Sequence, residues 1–183
     1  MARPIIIDTD PGQDDALAIL LALASPELEV LGITCVAGNV PLARTTVNAR
    51  KVWELAGRQD TRVFAGASEP LSRALVTAEY VHGKTGLDGY ELPEPTMALQ
   101  DQAGADFIVE TVMNAPANTV TLCALGPLTN LGLALQAEPQ LGERLQEIVL
   151  MGGAYFEVGN ITPTAEFNIY VDPEAAKIVF DSG

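Results

Sequence analysis

The sequence predicts an α/β fold, with a mainly parallel open sheet carrying helices on both faces. Three observations lead there. Short, continuous apolar runs rich in β-branched residues recur along the chain, as in strands buried on both faces. Longer helical stretches separate them, and strands alternating with helices build parallel βαβ units. Finally, 183 residues, 48% of them hydrophobic, can bury one sizeable core, so 1–183 is expected to form a single domain rather than two.

Each element has its own reason. Pro4-Ile5-Ile6-Ile7 is an unbroken apolar run and the expected first strand. An apolar helix is expected over residues 13–24, ended by Ser25-Pro26 because the residue before a proline avoids helical backbone. A second strand follows over 29–36, then a helix over 42–56 closed by Gly57. Val63-Phe64-Ala65 makes a brief third strand. The alternation resumes with a helix over 105–114, a strand over 119–124, a helix over 128–136 and a strand over 148–151. Two segments, 66–104 and 152–165, break the rhythm, and long loops in a compact domain usually carry function or motion. A last helix begins near Asp172-Pro173-Glu174 and stops at Asp181-Ser182-Gly183 with no closing strand, so the domain is expected to be truncated at its carboxyl end. Ligands of such sheets bind beyond the carboxyl ends of the strands, which directs attention to the loops after Ile7, Val36, Ala124 and Met151.

Charge and composition remove several function classes. The net charge is −14, from 24 acidic against 10 basic residues, and no block of lysine or arginine exists to replace phosphate counterions. Nucleic acid and anionic membranes are therefore not expected as partners. No stretch approaches the roughly 18 consecutive apolar residues of a membrane span. Met1-Ala2-Arg3-Pro4 leads into the first strand without a signal-peptide pattern, so a cytoplasmic location is expected. Cys35 and Cys123 lie in apolar, β-rich runs at a spacing that fits no metal or redox motif, and both are expected as buried, reduced thiols.

The densest chemistry is Asp8-Thr9-Asp10-Pro11-Gly12-Gln13-Asp14-Asp15, four carboxylates in eight residues directly after the first strand. Carboxylates this close raise one another's pKa unless a cation or strong donors compensate. A hard divalent ion with oxygen ligands is the natural compensator. A plainer reading puts Asp14 and Asp15 at a helix amino terminus, where the macrodipole favours each by about 0.3–1 kcal/mol; that accounts for one or two of the four. An aspartate-nucleophile phosphotransferase would also place Asp8-Thr9-Asp10 after its first strand, but Lys84 and Lys177 are poorly placed to serve it. A dinucleotide reader would need G-x-G-x-x-G at this turn.

The run Asp8 to Ala16 resembles the amino-terminal signature of the inosine-uridine-preferring nucleoside hydrolase family. Gly38-Asn39, His82-Gly83-Lys84-Thr85-Gly86-Leu87-Asp88-Gly89, Leu125-Gly126-Pro127-Leu128-Thr129-Asn130, Met151-Gly152-Gly153, and Gly159-Asn160 with Ala165-Glu166-Phe167-Asn168 match that family in the same order. The resemblance implies the Rossmann-like nucleoside hydrolase fold and calcium-dependent hydrolysis of the N-glycosidic bond of ribonucleosides, giving ribose and free base in purine or pyrimidine salvage. It implies a calcium ion held by Asp10, by both oxygens of Asp15 and by the backbone carbonyl of Leu125, with ribose hydroxyls and a water completing the shell. Asp10 is implied as the general base toward that water. Asp14, Asn39, Asn160, Glu166 and Asn168 are implied ribose contacts, Met151 a ribose neighbour, and His82 a residue of a mobile flap near the base. A small nucleoside is the implied partner, and family habit implies a homo-oligomer.

Residue types by themselves say less. Oxocarbenium character on the ribose calls for acceptors and oriented polar groups around the sugar rather than a basic patch. Asn39 after Gly38, like Asn160 after Gly159, is as readily a turn residue as a ligand. Glu166 and Asn168, two apart in what reads as an extended segment, would share one face of a strand. A lone histidine in a loop is by type a surface residue, and Met151 is by type a core residue. Members of the family run well past residue 183 and supply a late aspartate to the metal and a late histidine to the departing base. The alternative is a catalytically incomplete fragment that only binds ribose or calcium, or that needs a complementary chain. Base preference stays open.

Overall fold

In the computed structural model the chain is described over residues 2–58, 62–89 and 91–183. Met1, and Tyr90 within the long 66–104 segment, lie outside the described residues. The elements run β1 (Arg3–Thr9), α1 (Gln13–Ala24), β2 (Leu28–Cys35), α2 (Leu42–Leu55), β3 (Val63–Ala65), α3 (Glu79–His82), α4 (Gly104–Asn114), β4 (Thr121–Ala124), α5 (Thr129–Ala137), α6 (Leu141–Arg144), β5 (Glu147–Leu150), α7 (Phe167–Val171) and α8 (Pro173–Asp181). Among the described residues five strands, all parallel, form one sheet in the order β3-β2-β1-β4-β5.

The apolar run of β1 feeds both faces of the sheet, because successive side chains of a strand point to opposite sides. Ile5 and Ile7 pack with Ile19 of α1, Ile33 of β2 and Trp53 of α2. Ile6 packs on the other face with Leu122 of β4, Phe107 of α4, Leu131 of α5 and Ala175 of α8. Fully burying each large side chain contributes about 1.5–3 kcal/mol, so the central strand is the most strongly held element. The register of β1 on β2 shifts between Ile5 and Ile6, bringing Gly32 opposite Ile6. Gly32 has no side chain for a reason: a Cβ there would stand 2.6 Å from Cζ of Phe107, whose ring stacks on Phe64 at 3.8 Å.

The strand order makes β1 the switch point. The chain builds β2 and β3 on one side of it, then crosses to build β4 and β5 on the other. The loops after β1, β2, β4 and β5 therefore open at one end of the sheet, with a crevice beside β1.

Helix starts and stops follow local chemistry. Pro173 occupies the first turn of α8 and Asp172 caps it, accepting the N–H of Ala175 at 3.0 Å. The same buried carboxylate accepts the Thr129 hydroxyl at 2.7 Å and the Leu71 N–H at 2.9 Å, tying α5, α8 and the long 66–104 segment together.

Three readings need correction. The segment holding Glu166 and Asn168 is not extended: Glu166 caps α7, whose first turn includes Asn168. Its strand-like alternation is too short to distinguish from a helix start. The short helices α3 and α6, one turn each, fall in the 66–104 segment and in the stretch between 136 and 148, where no helix is expected from the sequence. Cys35 is buried, but Cys123 is only half-buried, because β4 is covered less completely than β1 and β2; both are free thiols. Among the described residues no helix is long and apolar enough to cross a membrane.

Candidate active site

The floor of the site is the end of β1. Asp8 and Asp10 are 0% and 1% exposed, and alternation along the strand puts both on one face. Asp8 accepts the Thr34 hydroxyl at 2.6 Å and the Asn130 amide at 2.7 Å on the same oxygen. Asn130 also donates to the Cys35 carbonyl at 3.1 Å and accepts the Ala67 N–H at 2.7 Å, so one side chain joins the ends of β1, β2 and the following segment. Burial pushes the Asp8 carboxyl up to about 6, against the opposing Asn130 and Thr34 bonds.

Asp10 is held from the side by Asn39. The Asn39 N–H donates to Asp10 Oδ2 at 2.6 Å, and its side-chain amide donates to the Asp10 carbonyl at 3.1 Å and to Asp15 Oδ2 at 3.3 Å. Asn39 therefore straps the two carboxylates together, a role beyond that of a turn residue. The other oxygen of Asp10, Oδ1, is buried with no hydrogen-bond partner among the described residues. Two glycines enclose the carboxylate: a Cβ at Gly38 would lie 2.1 Å from Oδ2, and one at Gly126 would lie 2.6 Å from Oδ1. Burial drives the Asp10 carboxyl well above the ordinary range, and the Asp15 charge adds to that against the Asn39 N–H.

Asp15 sits in the first turn of α1, where it accepts the Gly12 N–H at 3.0 Å and the Thr9 hydroxyl at 2.8 Å. Burial raises its pKa as well, with those two bonds opposing. Two adjacent carboxylates are thus buried together, and among the described residues no cationic side chain is a hydrogen-bond partner of either.

Above this floor opens a cavity of about 400 Å³. Asp14, Asp15, Asn39 and His82 line it from the β1 and flap side, while Leu125, Met151, Asn160, Glu166 and Asn168 line it from the β4, β5 and α7 side. Asp10 lies just beneath. The structure therefore brings all ten sequence-derived residues to one place. Asn168 organises the second wall: its amide donates to the Leu125 carbonyl at 2.8 Å, to the Met151 carbonyl at 3.0 Å and to the Met151 sulfur at 3.3 Å. Glu166 Oε2 accepts the N–H groups of Asn168 and Ile169, and Asn160 Oδ1 accepts the Phe167 N–H at 2.8 Å. Met151 is 51% exposed at the rim, not in the core its type suggests, because it follows the last strand of the sheet.

Sequence reasoning missed Ala18, Ala78, Tyr80, Val81 and Phe167 on the cavity wall. Phe167 lies between two singled-out residues, and Tyr80-Val81 precede His82, so adjacency was the available signal. It also missed Asn48, which donates to the Pro11 carbonyl at 3.0 Å and to the Thr85 carbonyl at 2.8 Å. Nothing in the local pattern of α2 marks that residue.

Comparison with known proteins agrees with this geometry. The sequence profile described as inosine-uridine preferring nucleoside hydrolase matches residues 5–183. A pyrimidine-specific ribonucleoside hydrolase of Salmonella arizonae is 52% identical over 183 residues, which are 100% of this chain and 58% of that protein. The solved structure of a plant nucleoside hydrolase superposes with a TM-score of 0.96 at 42% identity, over 100% of this chain and 58% of that one. A purine-preferring ribonucleoside hydrolase from Gardnerella vaginalis superposes with a TM-score of 0.94 at 35% identity, over 98% and 58% of the two chains. The chain thus spans 58% of the length of the relatives it matches. It belongs to the inosine-uridine preferring nucleoside hydrolase family.

Proposed function

We propose that this chain carries the ribose- and cation-binding part of a calcium-dependent ribonucleoside hydrolase. The observation that carries the reading is the unpartnered, buried Oδ1 of Asp10, next to a second buried carboxylate under a cavity lined by polar groups. Leaving a charged oxygen buried without a partner costs several kcal/mol, and a cation removes that cost.

The donor set fits a hard divalent ion, since every candidate atom is an oxygen. Asp10, Asp15 and the Leu125 carbonyl would hold it. Among the described residues no three His, Cys, Asp or Glu side chains group at ligating range, so substrate or solvent oxygens belong in the rest of such a shell. When bound, calcium lowers the pKa of the attacking water and lets both carboxylates ionise at neutral pH.

The chain's own residues then do the remaining work. Asp10 takes the proton from water as the water oxygen bonds to C1′ of ribose. The C1′–N bond breaks with its electron pair going to the base, which takes up a proton from solvent water as it leaves. Asn39 keeps Asp10 oriented by occupying Oδ2. Glu166, with Oε2 engaged by the α7 backbone, offers Oε1 to ribose hydroxyls, and Asp14, Asn160 and Asn168 add polar contacts around the sugar. Pyrimidine nucleosides are the first candidates, on 52% identity to a pyrimidine-specific relative against 35% to a purine-preferring one.

The test is ribose release from uridine, cytidine and inosine, with calcium and with chelator, for the chain and its Asp10→Ala variant. Chelator-sensitive release that Asp10→Ala abolishes supports the reading. No release from folded chain at saturating calcium removes the activity from these 183 residues, and release indifferent to chelator removes the cation.

A further inference from the structure

The flap that carries His82 is fastened to the site by a residue with no role so far. Gln13, the first residue of α1, places its side-chain amide against three atoms of the flap, 69 to 75 positions later in the chain. Its Nε2 donates to the His82 carbonyl at 3.1 Å and to the Asp88 carbonyl at 3.4 Å. Its Oε1 stands 2.7 Å from Nδ1 of the His82 ring.

The amide cannot be turned around without loss. Both backbone partners are carbonyls, which only accept, so the NH2 group must face them and Oε1 must face the ring. An oxygen facing Nδ1 at hydrogen-bond distance requires Nδ1 to carry the proton. Asp14 Oδ1, the other acceptor near that nitrogen, is 3.9 Å away and too far to compete. The ring also lies tightly over Gly12, where a Cβ would be 2.6 Å from Nδ1 and 2.9 Å from Cε1. It has little room to rotate, and its side chain is only 14% exposed.

We propose that Gln13 is a positioning residue that docks the 78–89 flap onto the start of α1 and fixes the neutral His82 ring as its Nδ1–H tautomer. Nε2 then carries the ring's only lone pair, so neutral His82 accepts a hydrogen bond there, its one N–H being already given to Gln13. A His82 so held receives a donor from the ligand rather than protonating a leaving base, unless the ring is first charged. This rests on the hydrolase reading for its consequence in turnover, but the docking and the tautomer stand on the geometry alone.

His82 is the only histidine of the 183 residues, so 15N-histidine labelling of the chain reports one ring. The spectrum is followed with rising pH and read on the alkaline plateau, where it no longer changes and the neutral ring is observed. Protonated and unprotonated ring nitrogens resonate far apart. The expected result is a protonated Nδ1 in the parent chain, a shift toward protonated Nε2 in Gln13→Met, and retention of protonated Nδ1 in Gln13→Glu, which keeps an acceptor oxygen. A parent ring protonated at Nε2, or a Gln13→Met spectrum unchanged from the parent, overturns the inference. In a ribose-release assay Gln13→Met should lower kcat/KM on the order of tenfold, as expected for a misplaced group next to a substrate. The two readings fail separately: the parent tautomer as expected with no ribose release sinks the hydrolase reading and keeps the positioning role, whereas release from a parent chain protonated at Nε2 does the reverse.

Discussion

The floor and the flap of the cavity are built from opposite materials. Asp8, Asp10, Asp15, Asn39 and Asn130 are all less than a tenth exposed, and each is fixed by bonds from different strand ends. In the flap, Tyr80 and Val81 are 69% and 62% exposed, and the turn depends on left-handed backbone at Gly83, Gly86 and Gly89. Asp88 stabilises that turn from within, by accepting the N–H groups of Lys84 and Thr85. To the rest of the molecule the flap is fastened by polar bonds from Gln13, Asn48 and the Asn39 carbonyl, which accepts the Ala78 N–H at 3.0 Å, and by the apolar contacts of Ala78 and Leu87. The floor inherits the stability of the central strand, whereas the flap, largely exposed and with Leu87 as its contact to the core cluster, is expected to open at lower cost. On the proposed function, chemistry that needs fixed charge would fall to the first, and admission and release of a ligand to the second.

The largest expected effect tests whether the floor carries the chemistry. Asp10→Ala should lower kcat for ribose release by about 10²- to 10⁴-fold, the range for removing a general base. Asp10→Asn should be as inactive, yet it should raise the unfolding temperature of the metal-free chain, because a buried charge without a cation is replaced by a neutral amide. An Asp10→Asn chain that melts below its parent in chelator would break the argument that this oxygen is strained by burial.

The next effect is pH dependence. Asp8 is raised from 3.8 to about 6 on folding, and Asp10 and Asp15 are raised as well. A carboxyl whose folded pKa is raised binds its proton more tightly folded than unfolded. Its contribution is full below the unfolded pKa and is lost as pH climbs through the folded one. For Asp8 that is a decline of up to about 3 kcal/mol between about pH 4 and pH 6. In chelator, the urea midpoint should therefore fall from pH 5 to pH 7, and Asp8→Asn should flatten part of the slope. The exposed carboxylates with lowered pKa, Asp88, Glu94 and Glu174, act oppositely but only below the ordinary carboxylate range. A midpoint that rises over pH 5–7 would reject the assignment.

Gly38→Ala comes third. The added Cβ would meet Asp10 Oδ2 and the Pro127 ring, so an overpacking loss of about 1–3 kcal/mol is expected in urea unfolding, together with weaker calcium binding. Asn48→Ala is the smallest. It frees the Pro11 and Thr85 carbonyls and should loosen the flap by about 1 kcal/mol, seen as faster hydrogen exchange over 83–89 with the amides of β1 unchanged. Equal acceleration in β1 would mean that flap and floor are one unit.

The sequence by itself determined the alternation of strands and helices, since period and punctuation are local: 13–24 and 63–65 coincide with α1 and β3, and the other strands and long helices fall within a residue or two. It also identified the acidic run after β1, because carboxylate density needs no third dimension to be unusual. It did not determine how the run is organised. That Asn39 straps Asp10 to Asp15, that Asn130 reaches Asp8 across 122 positions, and that Gln13 holds His82 across 69 depend on strand order and register. The same holds for Glu166 and Asn168, which meet through a helix cap rather than a shared strand face. Such contacts join segments whose separation along the chain carries no signal, and only the packing of β2 and β4 on either side of β1 brings them within hydrogen-bond reach.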